Sequence, residues 1–317
     1  MRLVIVTPAR PGTRHGNRAT ALRWARHLRA LGHRVAIQVE WDGRDRDAMI
    51  ALHARRSHAS IAAWKRALPS RPVVLVLTGT DLYRDIRRDA AARASLDLAD
   101  RLVVLQRKGL EELRAAHRAR ATVVHQSVHT PRRHQPPRTC FLATVIGHLR
   151  EEKDPFCAAR ALAHLPPSGR FRILHLGGAM NAAAAREARR HMRADDRYRW
   201  LGELPHARAM RWLARSHLMV ISSRMEGGAH VVSEAIAIGV PVLASRIPGN
   251  VGLLGENYPG YYPVGNERAL AKLLARAQGD SAFLASLARK VSAQRAKVKP
   301  AAERRALRAL LSHLKLR

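Results

Sequence analysis

The chain has 317 residues, 47% of them hydrophobic, enough for two domains of ordinary size with well-filled cores. No run of about 18 apolar residues occurs, which excludes a transmembrane helix. The formal charge is +33, but 49 of the 57 basic residues are arginines scattered along the chain, and aromatics for base stacking are only 4%; a nucleic-acid footprint therefore ranks below a field that gathers small polyanions. Cys140 and Cys157 lack metal-ligand spacing and read as reduced core thiols. The N-terminus enters a strand without a signal-peptide pattern, which predicts a cytoplasmic protein.

In chain order, residues 2–7 read as a buried strand. A loop follows with Arg10, Arg14, His15, Gly16 and Asn17, then a helix over 18–31 stopped at Gly32. The loop has no G-x-G-x-x-G fingerprint, yet its basic and amide groups sit at a strand's C-terminal end, where open α/β sheets bind ligands. Strands follow over 34–40 and 48–52, the latter ending in His53-Ala54-Arg55-Arg56-Ser57, a cluster suited to an anion. Residues 73–77 form a central strand, followed by Thr78-Gly79-Thr80-Asp81. Small hydroxyls there suit a small oxyanion, while Asp81 either joins them or caps a helix over 84–98. Strands over 100–105 and 121–125 flank another helix, and Gln126-Ser127 is placed where the chain crosses between domains. The proline-rich stretch 131–137 is the linker.

The second half repeats the alternation: strands over 140–146, 171–176, 198–201, 217–221 and 240–244, with helices over 155–165, 182–192, 206–215 and from 231 to 238. Residues 247–255 read as irregular and Gly-rich, and 258–264 as extended. Helices fill 267–278, 281–298 and 301–314. Two alternating blocks predict two parallel, doubly wound sheets in domains 1–135 and 136–317, with the last helix as a candidate to pack back on the first.

The most informative stretch is Glu226-Gly227-Gly228-Ala229-His230, running to Glu234. Strand, Gly-rich turn, helix and strand succeed one another, so that free backbone N–H groups at the helix start suit phosphate and the glycines admit a close approach. Two carboxylates bracketing the turn can each accept paired hydrogen bonds from vicinal hydroxyls, which points to a sugar or ribose. His230 and Glu234 lie four apart on a helix, but no third metal ligand is near in sequence.

Glu226-Gly227-Gly228, Glu234-Ala235 and Gly239-Val240-Pro241-Val242 together resemble the donor-site signature of retaining glycosyltransferases with two Rossmann-like domains (GT-B fold, family 4). The resemblance implies parallel sheets facing an interdomain cleft and a UDP-sugar as substrate, with no cofactor and no metal. It implies that Glu226 binds the donor sugar and Glu234 the ribose, with Gly227, Gly228 and Ala229 near the diphosphate. Gly147-His148-Leu149-Arg150-Glu151-Glu152-Lys153 matches the family's Gly-x-Leu-x-x-x-Lys segment, so Lys153 meets the diphosphate. His148 stands where the family usually has Arg, and Arg150 and Arg224 are the candidates to replace that charge. Gly177 lies in the turn resembling the one under the nucleotide, and Leu204 in the segment whose backbone holds the base.

A narrower resemblance, carried by Thr78-Gly79-Thr80-Asp81-Leu82-Tyr83, by residues 52–57 and by 244–264, is to the selenosugar synthases of selenoneine biosynthesis. It implies selenophosphate as acceptor, a UDP-sugar (UDP-N-acetylglucosamine or UDP-glucose) as donor, and a 1-selenosugar and UDP as products. The acceptor residues are then Arg10, His15, Gly16, Asn17, Arg55, Thr78, Thr80 and Asp81. Two other readings stay open: a family-4 transferase acting on a lipid or polysaccharide hydroxyl, and a basic nucleic-acid-binding protein.

Overall fold

The computed structural model describes residues 1–13, 16–129, 132–167 and 170–314. The chain divides into two units. The first comprises Met1–Ser127, Glu226–His230 and Lys297–Arg317; the second comprises Val128–Met225 and Val231–Ala296.

The first unit runs β1 (Arg2–Val6), α1 (Gly16–Ala30), β2 (Arg34–Gln38), β3 (Ala48–Leu52), α2 (His58–Ala67), β4 (Val73–Leu77), α3 (Ile86–Arg88), α4 (Ala90–Leu98), β5 (Arg101–Val104), α5 (Ala115–Arg118) and β6 (Ala121–Val123). Its six strands are parallel, in the order β2-β1-β3-β4-β5-β6. Every residue of β3 and β4 is buried, because helices cover both faces of the sheet. One face packs Trp24 and Leu28 of α1 on Ile5, Ile50 and Leu52; the other packs Trp64 of α2 and Leu96 of α4 on Met49 and Leu75.

Four sequence expectations change here. Helix α2 was not foreseen. The helix expected over 84–98 is broken: a π-turn covers Asp81–Asp85, α3 is one turn long, and α4 restarts at Asp89, whose side chain accepts from Ala92 N–H at 2.8 Å. Asp89 competes successfully with continued helix because its carboxylate satisfies an orphan donor of the new helix start. The helix expected between β5 and β6 is a 3-10 turn, Arg107–Glu112, followed by the four residues of α5. The first segment of this unit ends at Ser127, ahead of the linker expected at 131–137.

The second unit runs β7 (Phe141–Ile146), α6 (Cys157–Leu162), β8 (Phe171–Leu176), α7 (Ala182–Ala194), β9 (Tyr198–Trp200), α8 (His206–Ala214), β10 (Leu218–Ile221), α9 (His230–Ile238), β11 (Val242–Ser245), α10 (Pro248–Leu254), β12 (Tyr261–Tyr262), α11 (Glu267–Gly279) and α12 (Ser281–Ser292). Its strands are again parallel, ordered β12-β11-β10-β7-β8-β9. The stretch expected to be irregular is α10. Pro248 opens it at a position where its missing N–H costs nothing, and buried Asn250 ties it to β11 by donating to Ser245 O at 2.9 Å. Residues 240–241 precede β11 rather than joining it, because Gly239 and Val240 donate back to Ala235 O and close α9. The long helix expected over 281–298 ends at Ser292, and a 3-10 turn covers Arg295–Val298.

The last helix, α13 (Pro300–Ser312), belongs to the first unit. Its Leu307, Leu310 and Leu311 enter the core formed by β1 and α1. Among the described residues no helix is long and apolar enough to cross a membrane. Cys157 is buried, and burial pushes its thiol up to about 12, while Cys140 is half-buried; both are free thiols.

Candidate functional site

At the C-terminal ends of β7 and β8 the second unit brings three glycines together through its backbone. A Cβ on Gly177 would lie 1.9 Å from Gly147 O, so no other residue fits without moving the chain. Gly177 N–H donates to Gly202 O at 2.8 Å, and Trp200 Nε1–H donates to Gly177 O at 2.8 Å. Beneath them His175 is buried, and desolvation holds its imidazole down at about 4. The ring is therefore neutral: Nε2–H donates to Gly147 O at 3.1 Å and Nδ1 accepts from Tyr198 Oη at 2.8 Å. His148 Nδ1 accepts from Gly178 N–H at 3.1 Å, which leaves the proton of a neutral ring on Nε2. His148 thus offers a neutral N–H rather than the fixed charge of an arginine.

The turn from Gly147 to Lys153 is pinned to the end of β10. Ser222 Oγ donates to Asp154 O at 2.8 Å and lies 3.1 Å from Lys153 O, and Arg224 N–H donates to Glu152 O at 2.8 Å. Arg150 and Arg224 are both exposed, with the Arg224 guanidinium 3.8 Å from Asp154 Oδ2. Leu204 is half-buried just before α8.

The glycines at 227 and 228 have a structural reason that the sequence did not disclose. A Cβ on Gly227 would lie 2.3 Å from Thr78 O, and one on Gly228 would lie 2.7 Å from Leu105 Cβ. The turn therefore packs directly on the ends of β4 and β5, and Ala229 behind it is buried. Gln126 Nε2–H donates to Gly228 O, and the His230 imidazole pairs with Ser127 O at 3.2 Å. Glu226 is half-buried. In the second unit Glu234 is buried, and its Oε1 lies 2.6 Å from Nε2 of the largely exposed His206. The hydrogen bond to Glu234 holds the His206 imidazole above its ordinary value, against the opposing effect of burial.

In the first unit the strand ends are organised by side chains. Asp81 is fully buried, and its carboxylate accepts from the backbone N–H groups of Ala54 (3.0 Å), Thr78 (2.9 Å) and Gly79 (2.7 Å). That engagement makes it the residue that shapes the turn; its position does not offer a free carboxylate to a ligand. Thr78 Oγ1 also points to Asp81, at 3.4 Å, whereas Thr80 Oγ1 lies 3.1 Å from His53 Nε2. Arg55 is exposed and pairs with Asp89 at 3.1 Å. Arg10, Gly16 and Asn17 flank the start of α1, Arg10 and Gly16 exposed and Asn17 half-buried; His15 lies outside the described residues.

Sequence reasoning missed the charged centre of this unit. Glu303 of α13 is buried, and it accepts from Arg23 Nε at 3.0 Å, Trp24 Nε1 at 2.8 Å and Ser127 N–H at 2.9 Å, with His27 Nε2 at 3.2 Å. Burial alone would raise this carboxyl, but the hydrogen bonds from His27 and Ser127 and the Arg23 charge prevail and hold it at about 2. The available signal was its spacing: Glu303 precedes Leu307 by four residues on the apolar face of a basic helix.

Two parallel six-stranded sheets with flanking helices define the GT-B fold, and solved structures share it. Anabaena HepE in complex with UDP and glucose superposes with a TM-score of 0.79 at 15% identity, covering 99% of this chain and 100% of that one. Sucrose-phosphate synthase from Thermosynechococcus elongatus gives 0.80 at 16% identity, covering 99% and 98%. Residues 128–295, more than half of the chain, match the family described as glycosyl transferases group 1, and the chain belongs to that family. Among curated relatives, the D-inositol 3-phosphate glycosyltransferase of Mycolicibacterium smegmatis is 28% identical over 231 residues, 67% of this chain and 50% of its own length. The chain thus spans about half the length of that relative. The glycosyltransferase 1 domain-containing protein 1 of Xenopus tropicalis is 26% identical over 275 residues, 77% and 79% of the two chains.

Proposed function

We propose that this protein is a UDP-sugar-dependent glycosyltransferase whose acceptor is selenophosphate. The observation that carries the donor assignment is the coincidence, within the segment that matches the family, of the Gly147–Gly177–Gly202 cluster, Lys153 and buried Glu234. A buried carboxylate suits the paired hydroxyls of a ribose, and an ammonium beside backbone N–H groups suits a diphosphate. Glu226 is assigned to the donor sugar. HepE was solved with UDP and with UDP-glucose, which supports UDP as the nucleotide here.

The acceptor assignment rests on the first unit. Thr80, Arg55 and the start of α1 lie at or just beyond the C-terminal ends of β4, β3 and β1, and such groups suit a small anion. In the reaction the C1–O bond to UDP breaks as the C1–Se bond forms, and the UDP leaves with the electron pair. The selenium is already anionic, so the chemistry asks for positioning and for stabilisation of the departing diphosphate rather than for a strong base. Release of the 1-selenosugar further requires cleavage of the P–Se bond of the selenium-linked phosphate by water, with phosphate as the other product.

Incubation with UDP-N-acetylglucosamine or UDP-glucose and selenophosphate generated in situ, followed by mass spectrometry, tests this. A 1-selenosugar with UDP release is the expected result. Sugar transfer to a lipid or glycan fraction without a selenium-containing product overturns the acceptor assignment and leaves the donor assignment standing.

A further inference from the structure

Where the chain leaves β3, His53 has a φ of 79°, in the left-handed region that residues other than glycine seldom adopt. The conformation is held from several sides. His53 N–H donates to Val76 O at 2.9 Å, its carbonyl accepts from Ser57 N–H at 3.1 Å, and the next amide, Ala54 N–H, donates to Asp81 at 3.0 Å. Strained backbone of this kind persists only where surrounding contacts over-determine it, and it concentrates at functional sites. Here it places a buried imidazole beside the turn that follows β4.

The partners of the two ring nitrogens fix the proton. Nδ1 faces the backbone N–H of Arg56 at 3.4 Å, a group that can only donate. A nitrogen that accepts carries no proton, and a neutral imidazole has one N–H, so the proton is on Nε2. That N–H points at Thr80 Oγ1, 3.1 Å away, with Asp85 Oδ2 on the same side at 3.9 Å. Thr80 therefore accepts from His53 and cannot return its own hydrogen to the same nitrogen. The hydroxyl hydrogen of this half-buried side chain is left for another acceptor.

We infer that His53 is a positioning residue that locks the Thr80 hydroxyl as a hydrogen-bond donor to the phosphate-type oxygens of the acceptor. The inference rests on the reading above that the acceptor is a small oxyanion held near Thr80. A lone threonine hydroxyl rotates and offers an anion a lone pair as readily as a proton. Filling one of its two lone pairs biases that choice towards donation, and a hydrogen bond received by the oxygen strengthens the one it gives. Asp81 and Asp85 complete the device from the π-turn: Asp81 fixes the backbone on both sides, and Asp85 favours the proton on Nε2.

The test is a double-mutant cycle on binding of inorganic phosphate and thiophosphate, measured by calorimetry with saturating UDP. His53→Asn tolerates the left-handed backbone while removing the imidazole, and His53→Gly removes the side chain where strain is absent. Thr80→Val removes the hydroxyl. Each single change should weaken phosphate by about tenfold, the double variant should be no weaker than Thr80→Val alone, and UDP affinity should stay within about twofold. Undiminished phosphate binding in His53→Asn and His53→Gly, or losses that multiply in the double variant, overturns the inference while leaving the acceptor reading intact. No phosphate binding by the unmodified protein, or no effect of Thr80→Val, overturns the acceptor reading and the inference with it. Nitrogen-15 spectra of the histidine rings give an answer independent of ligand: a proton on Nδ1 of His53 overturns the inference.

Discussion

The two units use the same alternation of strands and helices but assemble their strand ends by different means. In the second unit, backbone meets backbone: Gly177 against Gly147, Gly202 accepting from Gly177. In the first, side chains join the close approach of Gly227 to Thr78 O: Asp81 gathers three amides, His53 holds Thr80, and Glu303 ties α13 to α1 and Ser127. A backbone-built site demands glycines at set places and so leaves a local signature. A side-chain-built site also draws on partners far apart in sequence, 27 residues for Asp81 with Ala54 and 280 for Glu303 with Arg23, and leaves a weaker local signature.

The sharpest way to break this comparison is Gly177→Ala. The new methyl meets a carbonyl oxygen at 1.9 Å, so the expected cost exceeds about 4 kcal/mol in denaturant unfolding, or no folded second unit is recovered. An alanine tolerated there would mean that side chains, not backbone, set the strand ends of the second unit.

Next in size is Glu303. Its folded pKa of about 2 lies below the ordinary value of 4.5, so its contribution is fully present above about pH 4.5 and is lost as pH falls towards 2. Glu303→Gln should flatten the stability profile across that window, by about 3 kcal/mol in urea titrations at stepped pH. An unchanged profile would show that the network contributes no pH-dependent stability.

Glu234→Ala should weaken UDP by about 1–3 kcal/mol in calorimetry, whereas Glu226→Ala should reduce turnover with the UDP-sugar and leave free UDP bound. The reverse pattern would exchange the two roles. Lys153→Ala should cost about tenfold in UDP-sugar affinity at neutral pH, more than His148→Ala, because the His148 ring is held by Gly178 in a form that donates without charge. Equal losses would show that the imidazole carries charge when the diphosphate arrives. The smallest effect belongs to His206→Ala, about threefold in UDP affinity, since the ring is largely exposed and only orients Glu234. A loss as large as that of Glu234→Ala would make His206 a direct ligand of the nucleotide.

The sequence by itself determined the parallel sheets and most of their strands. Residues 48–52, 73–77 and 171–176 are strands with the expected bounds because each is a compact apolar run between turn residues, a pattern complete within its own neighbourhood. The glycines at 227 and 228 were legible as positions that admit a close approach. What they approach was not: Gly227 meets Thr78 O, a protein atom, where the sequence suggested a ligand. Helix α10 escaped notice because Gly249 and Gly252 lower local helix propensity, and the contact that compensates, Asn250 on Ser245, is tertiary. The burial of Glu303, the break at Asp89 and the left-handed His53 were likewise decided only in three dimensions. Local preference is set by neighbours a few residues away, whereas a buried charge or a strained backbone is stable only when partners from distant segments arrive together.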